Sequence, residues 1–178
     1  MLYFIAIVAP DIINHQVLEW KNYMLQQFNC KVALKSPAHI TLIPPFNMPN
    51  QAQKEMQELL QPFAARQQSF PVQLKNFAAF TPHVIYVDVL PNACLSDVRT
   101  DLEAILLSGD RFAIKKENRP FHPHITIANR DLPKEDFPGA WQHFQHMPYE
   151  ATFEANTISL LRHNNHIWEV CNTFPLGN

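Results

Sequence analysis

At 178 residues, 47% hydrophobic and 11% aromatic, the chain is long enough to bury one good core or two small lobes that share one. A formal net charge of −2 excludes the broad basic field that holds long nucleic acid by counterion release, so any nucleic-acid substrate must be short or held by its end. The only glycines are Gly109, Gly139 and Gly177, too few for a Gly-rich phosphate loop, which excludes P-loop and Rossmann chemistry.

The opening run 2-LYFIAIVA-9 is β-branched and aromatic and reads as a buried strand. It has no basic leader and stops at Pro10-Asp11, too short for a signal peptide or a membrane span, so a cytoplasmic location without a membrane is expected. Ile13, Val17, Trp20, Met24 and Phe28 then step by three and four, the stripe of an amphipathic helix. Residues 39 to 43 return to strand character and are expected to stop at Pro44-Pro45. Met56, Leu59, Leu60 and Phe63 trace a helix between 51 and 68, and Val72, Leu74, Ala78 and Phe80 alternate as a strand.

After Thr81-Pro82 the order restarts: 83-HVIYVDVL-90 as strand, Leu95, Val98, Leu102, Ile105 and Leu106 as helix, 122-HPHITIA-128 as strand. Phe137, Trp141 and Phe144 mark a helix over about 133 to 147, and two strands follow near 150 to 162 and 165 to 172, turned at Asn164-Asn165. The second half thus matches the first with one added strand, giving pseudo-repeat halves of about 1–80 and 81–178 within a single domain, for no Gly- or Ser-rich linker separates them. Cys30, Cys94 and Cys171 lie far apart and are odd in number, which argues against a disulfide framework; they read as buried thiols.

One tripeptide occurs once in each half, as 39-HIT-41 and 124-HIT-126, where composition expects fewer than one such H-x-T match in the chain. The opening strand of each half precedes its motif histidine by a similar distance, 37 residues from Leu2 and 41 from His83. Residues i and i+2 of a strand share a face, so each motif offers an imidazole beside a hydroxyl while the central Ile turns to a core. Two such strands meeting at a pseudo-twofold axis would present two imidazoles and two hydroxyls to one cleft. His39 and His124 would act as acid and base, in an order the sequence does not assign, because an imidazole titrates near neutral pH. Thr41 and Thr126 would bind the non-bridging oxygens of a phosphate, and the scheme requires no metal or other cofactor.

These residues, with Pro123 before the second motif, resemble the 2H phosphoesterases, the 2′-5′ RNA ligase-like proteins and cyclic phosphodiesterases named for two H-x-T/S motifs. The resemblance spans the chain in length, motif separation and element order. It implies an α+β, bilobal, duplicated fold with an antiparallel sheet and helices in each lobe and the two motif strands facing a central cleft. It also implies metal-independent hydrolysis of 2′,3′-cyclic phosphate ends of RNA or of small cyclic nucleotides, or the reverse 2′-5′ ligation, in RNA processing; a monomer is the default expectation, since the sequence does not read out oligomeric state.

Two departures stand out. Ligase-like members carry an Arg five residues after the second motif histidine, where this chain has Asn129, with Arg130 next and expected on the opposite strand face. Those members also continue from the first motif into a Phe-Leu-Gly type turn, replaced here by Pro44-Pro45-Phe46. Further substrate-binding candidates are His122, on the face of His124 if the strand runs through Pro123, and Phe46 and Tyr86 as surfaces for base stacking. His83, Arg162 and His163 are weaker candidates. Two readings compete: a non-catalytic module that binds nucleotides or RNA ends in the same cleft, and a metal site built from 122-HPH-124 with His39.

Overall fold

The computed structural model describes residues 1–109 and 112–177. It is an α+β fold with four α-helices and one antiparallel eight-stranded sheet. The elements run β1 (Leu2–Val8), α1 (Asp11–Phe28), β2 (His39–Asn47), α2 (Gln53–Arg66), β3 (Phe70–Phe80), β4 (Val84–Val89), α3 (Ala93–Leu107), β5 (His124–Ala128), α4 (Phe137–Phe144), β6 (Glu150–Ala155), β7 (Thr157–His163) and β8 (Trp168–Pro175). No helix among the described residues is long and apolar enough to cross a membrane.

The strand order β6-β3-β4-β5-β2-β1-β7-β8 divides into two groups of four, with the motif strands β5 and β2 as their inner members. Those two strands pair through one residue pair, Ile40 with Ile125, and both side chains are fully buried. The groups are not the halves of the sequence: β3 pairs with β4 and β6, whereas β7 pairs with β1 and carries β8. The long helices cross over as well, α1 packing on β5 and α3 on β2 and β3. A single apolar cluster consequently runs through both groups.

Several expected boundaries shift. The second half carries two added strands, not one, because the segment from 150 breaks at Asn156 into β6, which joins β3, and β7, which joins β1. The β7–β8 hairpin does turn at Asn164-Asn165: Asn165 adopts a left-handed φ of 75°, and the Asn164 side chain accepts the backbone N–H groups of His166 and Ile167. β2 does not stop at the double proline but continues to Asn47. Its register with β1 slips there, from Ile5 opposite Ile43 to Tyr3 opposite Phe46, so the two residues without N–H donors fall in an irregularity rather than in the ladder. Of the three thiols, Cys30 is buried and Cys171 half-buried, but Cys94 is exposed in the first turn of α3, on the side turned from the sheet.

Ile40→Ala is expected to destabilise the protein by about 2–5 kcal/mol, since it empties a fully enclosed site at the junction of the two strand groups. Urea unfolding followed by far-UV circular dichroism reads the loss, and a change within about 0.5 kcal/mol would contradict this account of the junction.

Candidate functional site

The two motif strands share a local anomaly. Along β2 the partner in β1 changes from Ala6 opposite Thr41 to Ile5 opposite Ile43, leaving Leu42 as an extra residue; along β5 the partner in β4 changes from Tyr86 opposite Thr126 to Ile85 opposite Ala128, leaving Ile127 extra. Each motif is thus followed at once by a β-bulge. The burial patterns agree over five positions: half-buried His, buried Ile, half-buried Thr, then two buried apolar residues. Up to the bulge, His39 and Thr41 lie on one face and His124 and Thr126 on the corresponding face of the neighbouring strand; after it, alternation is lost.

The imidazoles are held in matching ways. Nδ1 of His39 lies 2.7 Å from the carbonyl oxygen of Pro37, and Nδ1 of His124 lies 2.7 Å from that of His122. A carbonyl oxygen only accepts, so Nδ1 carries the hydrogen in both rings. In the neutral form Nε2 is therefore the basic nitrogen, fixed in direction by a backbone contact two residues upstream.

The surroundings differ. The His39 ring lies 4.8 Å from that of Phe4, and its cross-strand partner is Val8. Burial pushes its pKa down to about 4, opposed by the bond to Pro37 and reinforced by the positive charges of Lys21 and His124. His124 is opposite Asp88 and lies 4.9 Å from the Tyr86 ring. Burial lowers its pKa too, the bond to the His122 carbonyl counteracts, His122 adds to the lowering and Asp88 favours the proton. Of the pair, only His124 has a carboxylate placed to stabilise its charged form.

Two cavities meet at Thr41. The first, about 450 Å³, is lined by His39, Thr126, Asn129, Arg130, Lys35 and His163 among others. The second, about 420 Å³, holds His124 and His122 beside Phe80, Phe121, Pro44 and Arg99. Either is in the size range of a small-ligand site. The first is rich in donors and positive charge, and the second is mainly apolar.

Arg130 reaches the first cavity because β5 ends at Ala128. A turn closed by the Leu132 N–H on the Asn129 carbonyl follows, and the Asp131 carboxylate accepts the N–H groups of Lys31 and Val32, pinning that turn to the loop after α1. The expectation that Arg130 faces away is overturned, since strand alternation has ceased before it. Asn129 lines the same cavity, with its Oδ1 buried and unpartnered within the protein.

His122 lies outside the strand, which begins at His124, yet its exposed ring borders the second cavity; its Nε2 is 3.1 Å from the Tyr86 hydroxyl and 3.5 Å from Asp88. Tyr86 is only 3% exposed and supports the two histidines from beneath, so it presents no face to a base. Phe46 is buried at 5% with its ring against Tyr3, which removes it from the stacking candidates, because the register slip at the prolines turns it inward. The exposed aromatic beside the site is Phe80, 40% accessible and edge-on to His122 and His124 at 5.2 and 5.3 Å. Its place in an alternating strand marked it as core; its exposure where β3 ends could not be read from that pattern. Asp88 and Lys21 also escaped attention, and Asn129 was noted only as a departure from the family pattern.

Of the weaker candidates, His163 lines the first cavity beside Trp168, His83 is tied to the Leu132 carbonyl, and Arg162 lies in β7 opposite Tyr3 of β1. No group of three His, Cys, Asp or Glu among the described residues is arranged to hold a metal ion. The rings of 122-HPH-124 stand 6.3 Å apart, with Nδ1 of His124 engaged by the His122 carbonyl, and no third such ligand joins them among the described residues.

Comparison with known proteins bears on the family and the fold. A model of the family described as the 2′-5′ RNA ligase superfamily matches residues 9–167. "Putative phosphoesterase GK0864" of Geobacillus kaustophilus is 30% identical over 181 residues, covering 99% of this chain and 97% of its own. "Putative phosphoesterase GWCH70_0799" of Geobacillus sp. is 30% identical over 168 residues, 92% of each chain. Among solved structures, TT0787 of Thermus thermophilus superposes with a TM-score of 0.72 at 18% identity over 100% of both chains. LigT of E. coli complexed with 3′-AMP gives 0.70 at 20% identity, over 99% of this chain and 98% of its own. At such identities the structural likeness bears on the fold alone.

Nitrogen-15 NMR of the histidine rings should find His39 in the Nδ1–H form, titrating well below the ordinary value of about 6.5. Since folding lowers this pKa, the buried neutral ring adds stability that is fully present above pH about 6.5 and lost as pH falls through about 4. A His39 midpoint at or above 6.5 would refute the assignment.

Proposed function

The chain belongs to the 2′-5′ RNA ligase superfamily, the 2H phosphoesterases, and from that premise we propose that it hydrolyses 2′,3′-cyclic phosphate ends of RNA or nucleotides by two-histidine acid–base catalysis without a metal. The observation that carries this reading is the matched pair of Nδ1–carbonyl contacts, which leaves two Nε2 atoms of defined direction beside two threonine hydroxyls. A module that only bound nucleotides would not need both rings held in one tautomer.

The asymmetry between the rings supports one division of roles. His39, neutral at physiological pH, is the base: its Nε2 takes a proton from water as the water oxygen bonds to phosphorus. His124, with Asp88 opposite, is the acid: its Nε2–H protonates the 2′ or 3′ oxygen as the P–O bond breaks, leaving a phosphomonoester and a free hydroxyl. Thr41 and Thr126 donate to the non-bridging oxygens, where charge accumulates, and Asn129 offers its amide where the family's arginine would stand. With the proton flow reversed, the same groups would run 2′-5′ ligation, a ribose hydroxyl replacing water.

The two cavities suggest how a nucleotide lies across the site. Lys35 and Arg130 suit further phosphates of an RNA end, and the apolar cavity with Phe80 suits a nucleobase.

The purified protein is expected to open a cyclic-phosphate nucleotide in the presence of chelator, with His39→Ala and His124→Ala each lowering kcat by about 10²- to 10⁴-fold. Activity abolished by the chelator, or intact in both variants, would overturn the mechanism. Phe80→Ala should raise KM for a cyclic nucleotide by about tenfold, as loss of one base stack implies, while a base-free ribose cyclic phosphate turns over as before. Equal losses on both substrates would show that Phe80 supports the histidines instead.

A further inference from the structure

α1 buries a lysine. Lys21 is 4% exposed, and burial pushes its pKa down to about 8, so it carries its charge at neutral pH against a substantial desolvation cost. No carboxylate is paired with it among the described residues. Its Nζ donates instead to the carbonyl oxygen of Ser36, at 2.9 Å. An uncompensated ammonium in a core is costly where methionine would fill similar space, so its presence calls for a role.

The place it grips is informative. Ser36 begins the lead-in to β2, and the next carbonyl along, that of Pro37, is the one that fixes Nδ1 of His39. The third residue of the lead-in is tied to the same region: the Asn14 side chain accepts the Ala38 N–H at 2.6 Å and donates to the Ala9 carbonyl, while the Ala9 N–H donates to the Ala38 carbonyl. Every residue between 36 and 39 therefore has a contact that sets its orientation, and the first and third contacts come from α1.

We propose that Lys21 is a positioning residue for His39: by gripping the Ser36 carbonyl it fixes the Pro37 carbonyl that aims the imidazole, and so presents Nε2 to the cleft. Its charge acts in the same sense, disfavouring the imidazolium and keeping His39 competent as a base. The second half has a counterpart of different chemistry. There Glu103 of α3, also buried, accepts the backbone N–H of Glu117 in the lead-in to β5, with its charge matched by Arg99 at 2.9 Å.

The catalytic consequence rests on the function proposed above, but the positioning does not, so NMR on the unliganded protein separates the two. The other charged or titratable groups facing these two side chains are Asp11, His15 and Lys35 around Lys21, and Lys35, Arg130, His163 and His124 around His39. Lys21→Met should raise the His39 titration midpoint and broaden or mix its tautomer, with His124 unaffected, while Lys21→Arg, which keeps charge and donors, should restore the wild-type values. In wild-type protein the His39 ring shifts should show a second inflection near pH 8 as Lys21 deprotonates, absent in Lys21→Arg. In turnover, Lys21→Met should lower kcat about tenfold or more with KM within about twofold. A folded Lys21→Met protein with unchanged His39 midpoint and tautomer would overturn the proposal. Should that variant not fold, absence of the inflection near pH 8 in the wild type would do so.

Discussion

The pairing of Ile40 with Ile125 is the constraint on which the site depends. Two adjacent strands that hydrogen-bonded along their length would bring their motif side chains into one flat row with no space between. Meeting at one residue pair, Ile40 with Ile125, both buried, they leave the polar members of the motifs lining two cavities that share Thr41, with His39 and Thr126 in one and His124 in the other. The bulges at Leu42 and Ile127 complete the arrangement, because each ends the alternation immediately after the threonine and commits the next two residues to the core.

The symmetry of the framework makes its chemical asymmetry legible. Strand order, bulges, burial pattern and the Nδ1–carbonyl contacts repeat between the two motifs, so the differences that remain are few: Phe4 and Val8 around one histidine, Tyr86 and Asp88 around the other, and a buried lysine behind the first. Burial and the charge of Lys21 favour a neutral His39, while Asp88 favours the charged form of His124 against its own burial. A duplicated fold offers two equal groups, and under the proposed mechanism the residues around them would decide which gives and which takes a proton.

The exchange of strands between the halves has a mechanical meaning. β3 leaves its own half to pair with β4, the β7–β8 hairpin returns to β1, and α1 and α3 each pack against the other half's motif strand. The cleft walls are therefore not two independent bodies joined by a hinge; a displacement of either motif strand would strain the helix that covers its neighbour. The proposed acid–base catalysis by groups on separate strands would benefit from such rigidity, since small misplacements are costly in rate.

Periodicity and the spacing of residues a few positions apart were enough to establish the motif pair, the element order as far as α4 and the shared face of each H-x-T, but not the break at Asn156 that makes two strands of one. They also sufficed to place the hairpin at Asn164-Asn165. Folding settled what depends on distant segments: which strands join which group, that β2 passes through its two prolines, that Phe46 turns inward while Phe80 stays exposed, and that Arg130 swings into the cavity on a turn pinned by Asp131. The partners that distinguish the two histidines, Lys21 from α1 and Asp88 from β4, lie 18 and 36 residues away in the chain. Burial and long-range charge have no period, and so they leave no signature until the chain is folded.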